Sequence, residues 1–105
     1  MKTDELKVIA NELGEIVCAE KFKNYTIISN AINKQAIVYL SLDKIENHKL
    51  GKNLLRVHKS NLININQVIE IIEFSVSCQV KLTNGKLFTV SRRKKKNLIK
   101  QLNLP

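Results

Sequence analysis

Two polar clusters in this 105-residue sequence contain the kinds of side chain that nucleic acids attract. The first is the run HKSN at 58–61, which interrupts the alternating apolar pattern of LLRVHKSNLININ. The second is SRRKKK at 91–96, followed by Lys100 with no acidic residue between them. Lysine, arginine, histidine, serine and asparagine side chains donate hydrogen bonds to phosphates and base edges. The two clusters are therefore candidate contact elements.

The overall charge favours the same kind of partner. The chain has 18 Lys and Arg residues against 9 Asp and Glu, which gives a formal net charge of +9. Such an excess on a small domain favours a polyanion, with nucleic acid ahead of an acidic membrane or protein. The alternative is that the charge serves solubility alone, and an isolated lysine run favours that explanation. Here the basic run directly follows a strand pattern and a serine that can cap a helix, which favours a functional role.

The apolar pattern indicates a mainly β fold. Short runs rich in Ile, Val and Tyr alternate with clusters of Gly, Asn and Lys, as expected for antiparallel strands joined by turns. A hairpin loop is predicted at Asn30–Lys34, and Asn84-Gly85 is a stronger turn signal because both residues accept positive φ. About eight strands are expected along the chain, the first four at Leu6–Ala10, Glu15–Glu20, Asn24–Ser29 and Gln35–Leu40.

Two short helices are predicted within this sheet-rich pattern. Ser41 can cap the first, with Leu42, Ile45 and Leu50 facing inward and Gly51 ending it. Ser91 can cap the second.

The second predicted helix places cations where its dipole disfavours them. Arg92, Arg93 and Lys94 occupy its first turn, where each exposed cation costs roughly 0.3 to 1 kcal/mol. Local conflicts of this kind often mark functional sites. A DNA phosphate beside this turn would remove the conflict, because backbone N–H groups and cationic side chains would face the same anion.

The sequence contains little that could support catalysis or metal binding. Cys18 and Cys78 stand in separate apolar runs and are expected to be reduced core residues. Neither has the nearby second Cys or His that a zinc site needs, so no metal or other cofactor is expected. The carboxylates are scattered, and three glycines cannot build a phosphate-binding Gly-rich loop. We expect a protein that is not an enzyme.

Length and hydropathy favour one intracellular domain. A chain of 105 residues has the usual size of a single domain, and no repeat or linker divides residues 1–105. No apolar run approaches the roughly 20 residues of a membrane span, and the acidic N-terminal segment is unlike a signal peptide. We therefore expect a cytoplasmic protein that does not contact the membrane.

The order of these motifs resembles the LytTR family of bacterial DNA-binding domains. The family pattern runs R-x-H-R-S, then an aromatic, two aliphatic residues and N, later D/N-G, and later V-S-R-R. This chain has RVHKSNLININ, then Asn84-Gly85, then VSRRKKK. Upstream, IVCAEKFKNYTIIS and SLDKIENHKL are similar to the preceding family segments. The resemblance covers almost the whole chain.

The resemblance implies an elongated, mainly β fold of eight to ten short antiparallel strands and two short helices. Such a domain lies along DNA and inserts loop side chains into successive major grooves. Carried over by motif, His58, Lys59 and Ser60 lie at one groove, together with Arg92 and Arg93. The same comparison places Lys23, Asn24 and Tyr25 near a second groove. Lys59 replaces the usual Arg and lacks its bidentate fork, and Asn61 replaces the usual aromatic residue.

The chemistry of these side chains suggests different roles. Arg92 is the best candidate for reading guanine, whereas Lys59, Lys94, Lys95 and Lys96 suit phosphates. Alternatives stay open at four positions. His58 and Ser60 can instead form hydrogen bonds within a local turn. Asn24 is a common residue in turns, and Tyr25 suits the core.

Two other functions compete with this interpretation. An RNA-binding or ribosome-associated β-domain would share the basic charge, but such modules display stacking aromatics, and most aromatics here suit core positions. The Ile-rich strand NLININQVIEIIEF could also serve protein interaction if its edge is exposed.

The sequence therefore predicts a single DNA-binding domain of a bacterial transcription regulator, specific for duplex sequence. The resemblance further suggests that two domains pair on repeated half-sites, and that a receiver or other sensor outside these residues controls them. We expect either a regulator that acts alone or a part of a longer two-component response regulator. The target sequence, half-site spacing, regulated genes and direction of regulation are not encoded in any motif.

Overall fold

Two antiparallel sheets and three α-helices make up the part of the chain, residues 4–102, that a computed structural model describes. The described part is elongated, with extents of 48 × 24 × 24 Å. The predictions of a mainly β, elongated fold and of about eight strands are confirmed, whereas three helices replace the expected two. The elements are α1 (Glu5–Leu13), β1 (Cys18–Phe22), β2 (Tyr25–Ser29), β3 (Gln35–Val38), α2 (Leu42–Glu46), β4 (Leu54–His58), β5 (Asn61–Asn64), β6 (Val68–Glu73), β7 (Cys78–Leu82), β8 (Leu87–Val90) and α3 (Arg92–Gln101), with 3-10 turns at Lys49–Gly51 and Ile65–Gln67.

The additional helix is α1. It occupies Glu5–Leu13, so the prediction of a strand at Leu6–Ala10 is wrong. The carboxylate of Asp4 caps this helix by accepting the backbone N–H of Lys7 at 3.1 Å. Leu6 and Leu13 are buried and lie seven positions apart, about two helical turns, so the apolar spacing follows the helical period. The short run KVIA fits a strand equally well by composition, and the capping Asp4 is the local signal that distinguishes the two.

The five-stranded sheet has the order β3-β2-β1-β5-β4 and separates two apolar cores. Ala19 and Leu62 face the core formed with α1 and α2. Their chain neighbours Cys18 and Ile63 face the second core, which the three-stranded sheet β6-β7-β8 and α3 close. The two central strands are therefore buried on both faces, which explains their continuous apolar runs.

Both cysteines lie in the second core, as the sequence predicted. Cys18 and Cys78 are fully buried and unbridged. Burial raises the pKa of each thiol, so both remain protonated and weakly reactive.

The turn between β7 and β8 lies where Asn84-Gly85 predicted it, but only one of the two residues needs unusual backbone geometry. Gly85 has φ +84°, whereas Asn84 is not among the described residues with positive φ. The Asn84 side chain instead accepts the backbone N–H of Lys86 at 3.1 Å and donates to the carbonyl of Asn30 at 3.3 Å. This asparagine therefore ties the turn to the loop before β3.

Helix α2 begins at the predicted cap, since Ser41 Oγ accepts the backbone N–H of Lys44 at 3.2 Å. The predicted end is wrong, because α2 stops at Glu46 and a separate 3-10 turn follows. Leu50, expected inward, lies in that turn and is 41% exposed. Gly51 ends this second turn, where a Cβ would lie 2.1 Å from the carbonyl oxygen of Ile45. A glycine is thus required at position 51 because the Ile45 carbonyl lies too close to leave room for a side chain.

We expect Gly51→Ala to lower the free energy of unfolding by about 2 kcal/mol, because the added methyl must push the Ile45 carbonyl and with it α2. Denaturant unfolding followed by circular dichroism measures this change. The matched control is Lys52→Ala, which removes an exposed side chain next to Gly51 and should leave the unfolding midpoint nearly unchanged. Equal midpoints for Gly51→Ala and the wild type would show that the segment shifts at no cost.

Candidate nucleic-acid interface

Two of the predicted contact segments lie at the same end of the five-stranded sheet. Strands β1 and β5 are antiparallel neighbours, with Glu20 opposite Asn61. The backbone N–H of Lys21 donates to the carbonyl of Ser60 at 2.8 Å. This pairing sets the β1–β2 turn, at residues 23–24, beside the β4–β5 turn, at residues 59–60. The sheet thus brings together segments almost forty residues apart in sequence.

Helix α3 begins beside the same end of the sheet. The backbone N–H of Ser91 donates to the carbonyl of Val57 at 3.0 Å, which fixes the start of the helix against the end of β4. Ser91 is also the predicted cap, since its Oγ accepts the backbone N–H of Lys94 at 3.4 Å. Its carbonyl accepts from the amides of Lys94 and Lys95, both at 2.9 Å. The amides of Arg92 and Arg93, in the first turn, can then face a bound anion.

A groove of about 560 Å³ lies between α2 and α3, and we call it the α2–α3 groove. Both polar clusters of the sequence contribute to its walls. Its lining residues are Asp43, Glu46, Arg56, His58, Lys59, Ser91, Arg93 and Lys94.

The other predicted site residues lie outside the α2–α3 groove. Arg92 is exposed on the first turn of α3. Lys95 turns toward the second sheet, where its Nζ donates to the carbonyl of Phe74 at 3.4 Å. Lys23, Asn24 and Tyr25 line a separate cavity of about 290 Å³ with Tyr39.

His58 is partly buried and bonds within its own turn. Its Nδ1 accepts the backbone N–H of Ser60 at 3.4 Å. A neutral imidazole with an accepting Nδ1 carries its proton on Nε2. The turn contact and the DNA contact that the sequence left as alternatives are therefore compatible, because Nε2 remains a donor.

Lys23 has an uncommon backbone conformation for a residue with a side chain. Its φ is +56° at the tip of the β1–β2 turn, in the left-handed region that glycine normally occupies. Its Nζ lies 5.8 Å from the centre of the Phe22 ring, within range of a cation–π contact.

Sequence reasoning assigned no role to Arg56, yet its guanidinium makes the most contacts in the groove. Nε donates to the carbonyl of His58 at 3.1 Å and Nη2 donates to that of Lys59 at 2.5 Å. Nη1 donates to the Asp43 carboxylate at 2.8 Å, and Glu46 lies 3.8 Å away. Two of these acceptors are backbone carbonyls, which leave no signature in the sequence.

The α2–α3 groove is asymmetric in charge. Lys59, Arg93 and Lys94 supply cations, whereas Asp43 and Glu46 place two carboxylates on the α2 wall. An anion such as a phosphate is therefore attracted to the α3 side and repelled from the α2 side. The groove is suited to a polyanion that approaches in one orientation.

The aromatic residues are more exposed than the sequence suggested, and their expected place in the core is wrong for most of them. Phe22, Tyr39 and Phe74 are 51%, 73% and 52% exposed, and only Phe88 is buried. Tyr25 lies between Phe22 and Tyr39, with ring centres 5.6 and 6.3 Å away. The rings of Phe22, Tyr25 and Tyr39 form an aromatic row beside the β1–β2 turn.

Within residues 4–102, no three His, Cys, Asp or Glu side chains lie close enough to share a metal ion. None of the helices in that part of the chain is long and apolar enough to span a bilayer.

Comparisons with known proteins identify the family of this fold and groove. The sequence profile of the LytTr DNA-binding domain matches residues 7–103. A solved structure, the LytTr DNA-binding domain of a Bacillus cereus protein described as a methyl-accepting/DNA response regulator, superposes with a TM-score of 0.73. The two share 19% sequence identity, and the match covers 88% of this chain and 84% of the other. No curated protein sequence matches the chain. Because the profile spans nearly all of the sequence, the chain belongs to the LytTR family of DNA-binding domains.

Proposed function

We propose that this domain binds duplex DNA sequence-specifically as the output domain of a bacterial transcription regulator. The α2–α3 groove and the first turn of α3 face the DNA and supply the contacts in a major groove. The single observation that supports this most is the meeting of two distant polar segments, His58 with Lys59 and Arg93 with Lys94, around one groove. In keeping with this function, the domain acts in the cytoplasm and without catalysis.

The side chains divide into base-reading and phosphate-binding groups. Arg92 and Arg93 can each pair bidentately with the O6 and N7 of guanine. Lys59, Lys94 and Lys96 neutralise phosphates, and Lys95 can do so once its contact with the Phe74 carbonyl breaks. His58 offers Nε2 to a base edge or phosphate.

The geometry of the sheet supports a different position for Lys23 and Asn24 from the one the family pattern implied. Adjacent strands lie about 4.8 Å apart, so the β1–β2 and β4–β5 turns are separated by about 10 Å. Successive turns of one DNA groove are about 34 Å apart. We therefore assign Lys23 and Asn24, with Tyr25, to phosphates that flank the same major groove.

In the family's manner, two domains pair on repeated half-sites, and a receiver or sensor outside this chain sets when they bind. The charge of +9 lets each copy bind DNA weakly on its own. Two half-sites at a fixed spacing would then raise the affinity through effective concentration.

Selection from random duplex DNA should recover a repeated motif that the purified protein binds. Its affinity should fall with salt, with a log–log slope of about −0.9 for each phosphate that the protein neutralises. Fluorescence anisotropy at several salt concentrations measures the slope. A selection that enriches no motif, or an affinity insensitive to salt, would contradict the proposal.

Arg92→Ala and Arg93→Ala should each weaken binding to the selected duplex by about 1 to 3 kcal/mol and weaken binding to random duplex much less. The matched control is Lys100→Ala, which removes the same charge from the last turn of the same helix. It should lower both affinities slightly and equally, and Lys95→Ala should also lower both alike. Equal losses on both duplexes for the arginine variants would show that they bind phosphate only.

The aromatic row is the one observation that favours the RNA-binding alternative. Two of its rings, Phe22 and Tyr39, are exposed, and exposed rings can stack unpaired bases. Competition separates the two functions. Structured RNA at equal concentration should fail to displace the selected duplex, and Tyr39→Ala should leave duplex binding unchanged. If RNA displaces the duplex from the wild-type protein but not from Tyr39→Ala, the RNA-binding function is favoured instead.

A further inference from the structure

We infer that Arg56 and Asp43 act together as positioning residues that hold the β4–β5 turn in the conformation that reads DNA. The inference rests on the proposed function, and it assigns the placement of His58 and Lys59 to the ion pair between Arg56 and Asp43.

The turn needs support because β4 is irregular where it approaches the turn. Arg56 pairs with Leu62 and His58 pairs with Asn61, so the register shifts between them, as in a β-bulge. A bulge re-aims side chains and leaves backbone groups of the longer strand without their ladder partners. Carbonyls from this point to the turn therefore need donors from elsewhere.

Three consecutive carbonyls at this point obtain donors from outside the sheet ladder. The carbonyl of Val57 accepts the backbone N–H of Ser91 at 3.0 Å. Those of His58 and Lys59 accept Nε and Nη2 of Arg56 at 3.1 and 2.5 Å. One of these three hydrogen bonds comes from the cap of α3 and two from one guanidinium. Arg56 therefore fixes the carbonyls of His58 and Lys59, while the bond from Ser91 fixes the adjoining Val57 carbonyl to the start of α3.

Three of the five N–H donors of the guanidinium are already used within the protein. Each of its three nitrogens already has an acceptor, and the side chain is 21% exposed. A rigid planar fork that is held at all three nitrogens suits a fixed structural connection. Lysine has a single ammonium group, which could not bridge acceptors so widely placed.

Asp43 gives Arg56 its orientation. Its carboxylate accepts Nη1 at 2.8 Å from the first turn of α2, a position where the helix dipole favours an anion. The Asp43 side chain is 81% exposed on the wall of a groove that would receive DNA. On charge alone this carboxylate repels phosphate, so its removal should strengthen binding. A positioning role predicts that removing the carboxylate weakens binding to the specific site. The direction of the change in affinity therefore distinguishes the two roles.

The experiment compares Asp43→Asn and Arg56→Gln on the selected duplex and on random duplex. The two substitutions change the net charge in opposite directions. Both should nonetheless lower the ratio of specific to non-specific affinity, by about tenfold. Arg56→Gln removes the guanidinium that bonds to the two turn carbonyls, and Asp43→Asn removes the negative charge that orients this guanidinium. A variant that merely folds less completely would lose both affinities equally, so the ratio separates positioning from stability.

Two matched controls carry the same charge changes away from the groove. Glu12→Gln, on α1, matches Asp43→Asn, and Lys34→Gln, in the loop before β3, matches Arg56→Gln. Each control should shift both affinities together and leave the ratio unchanged. If Asp43→Asn instead strengthens both affinities as Glu12→Gln does, Asp43 acts only as a charge and the inference is wrong.

Amide hydrogen exchange in the DNA-free protein tests the same inference without relying on DNA binding. Exchange at the amides of Ser91 and Lys21, which bond to the Val57 and Ser60 carbonyls, should accelerate in both variants. The amide of Val17, bonded to the Ser29 carbonyl at the other end of β1, is the internal reference and should not change. If exchange is faster in the variants but neither the wild type nor the variants bind duplex DNA, the proposed function is wrong and the positioning role still holds. Unchanged exchange would overturn the inference itself.

Discussion

The pairing of β1 with β5 is the constraint on which the rest of this structure depends. In the five-stranded sheet the other neighbours are successive strands joined by turns, and this pair alone connects residues about forty positions apart. It buries Cys18, Ala19, Leu62 and Ile63 completely and separates the two cores. The same pairing places the two turns of the interface side by side. Apolar burial thus determines where the polar side chains lie, since a slip of one residue would exchange the faces of the strand.

Local patterns predicted what local physics controls. The alternation in YTIIS and QAIV, the Asn84-Gly85 turn and the capping serines at 41 and 91 all lie where the sequence placed them. Errors arose where one pattern allowed two structures. KVIA is short enough for a strand or a helix, and Asp4 decides in favour of the helix. Leu50 fits the spacing of a longer α2, but the chain turns again after Glu46, with His48 as the cap of the next turn.

The sequence predicted some of the side chains that line the α2–α3 groove but not the residues that support them. Side-chain chemistry and family spacing pointed to His58, Lys59 and Arg93, and the fold brings these three to one groove. Arg56 was overlooked because its acceptors are mainly carbonyls, and any residue has a carbonyl. Asp43 was overlooked because its relation to Arg56 depends on how α2 packs against β4. Exposed aromatics were misjudged for a related reason, since composition does not show which face of a sheet stays uncovered.

Helix α3 meets β4 through a bond between two backbone groups, the N–H of Ser91 and the carbonyl of Val57. A bond between two backbone groups does not depend on the identity of the neighbouring side chains. Substitutions at 59, 92 and 93 can therefore alter what the surface recognises while the backbone that carries them keeps its course. A domain built in this way can acquire new target sequences during evolution by a few point changes. Lys59, which stands where the family pattern has arginine, is the kind of change that this backbone would tolerate.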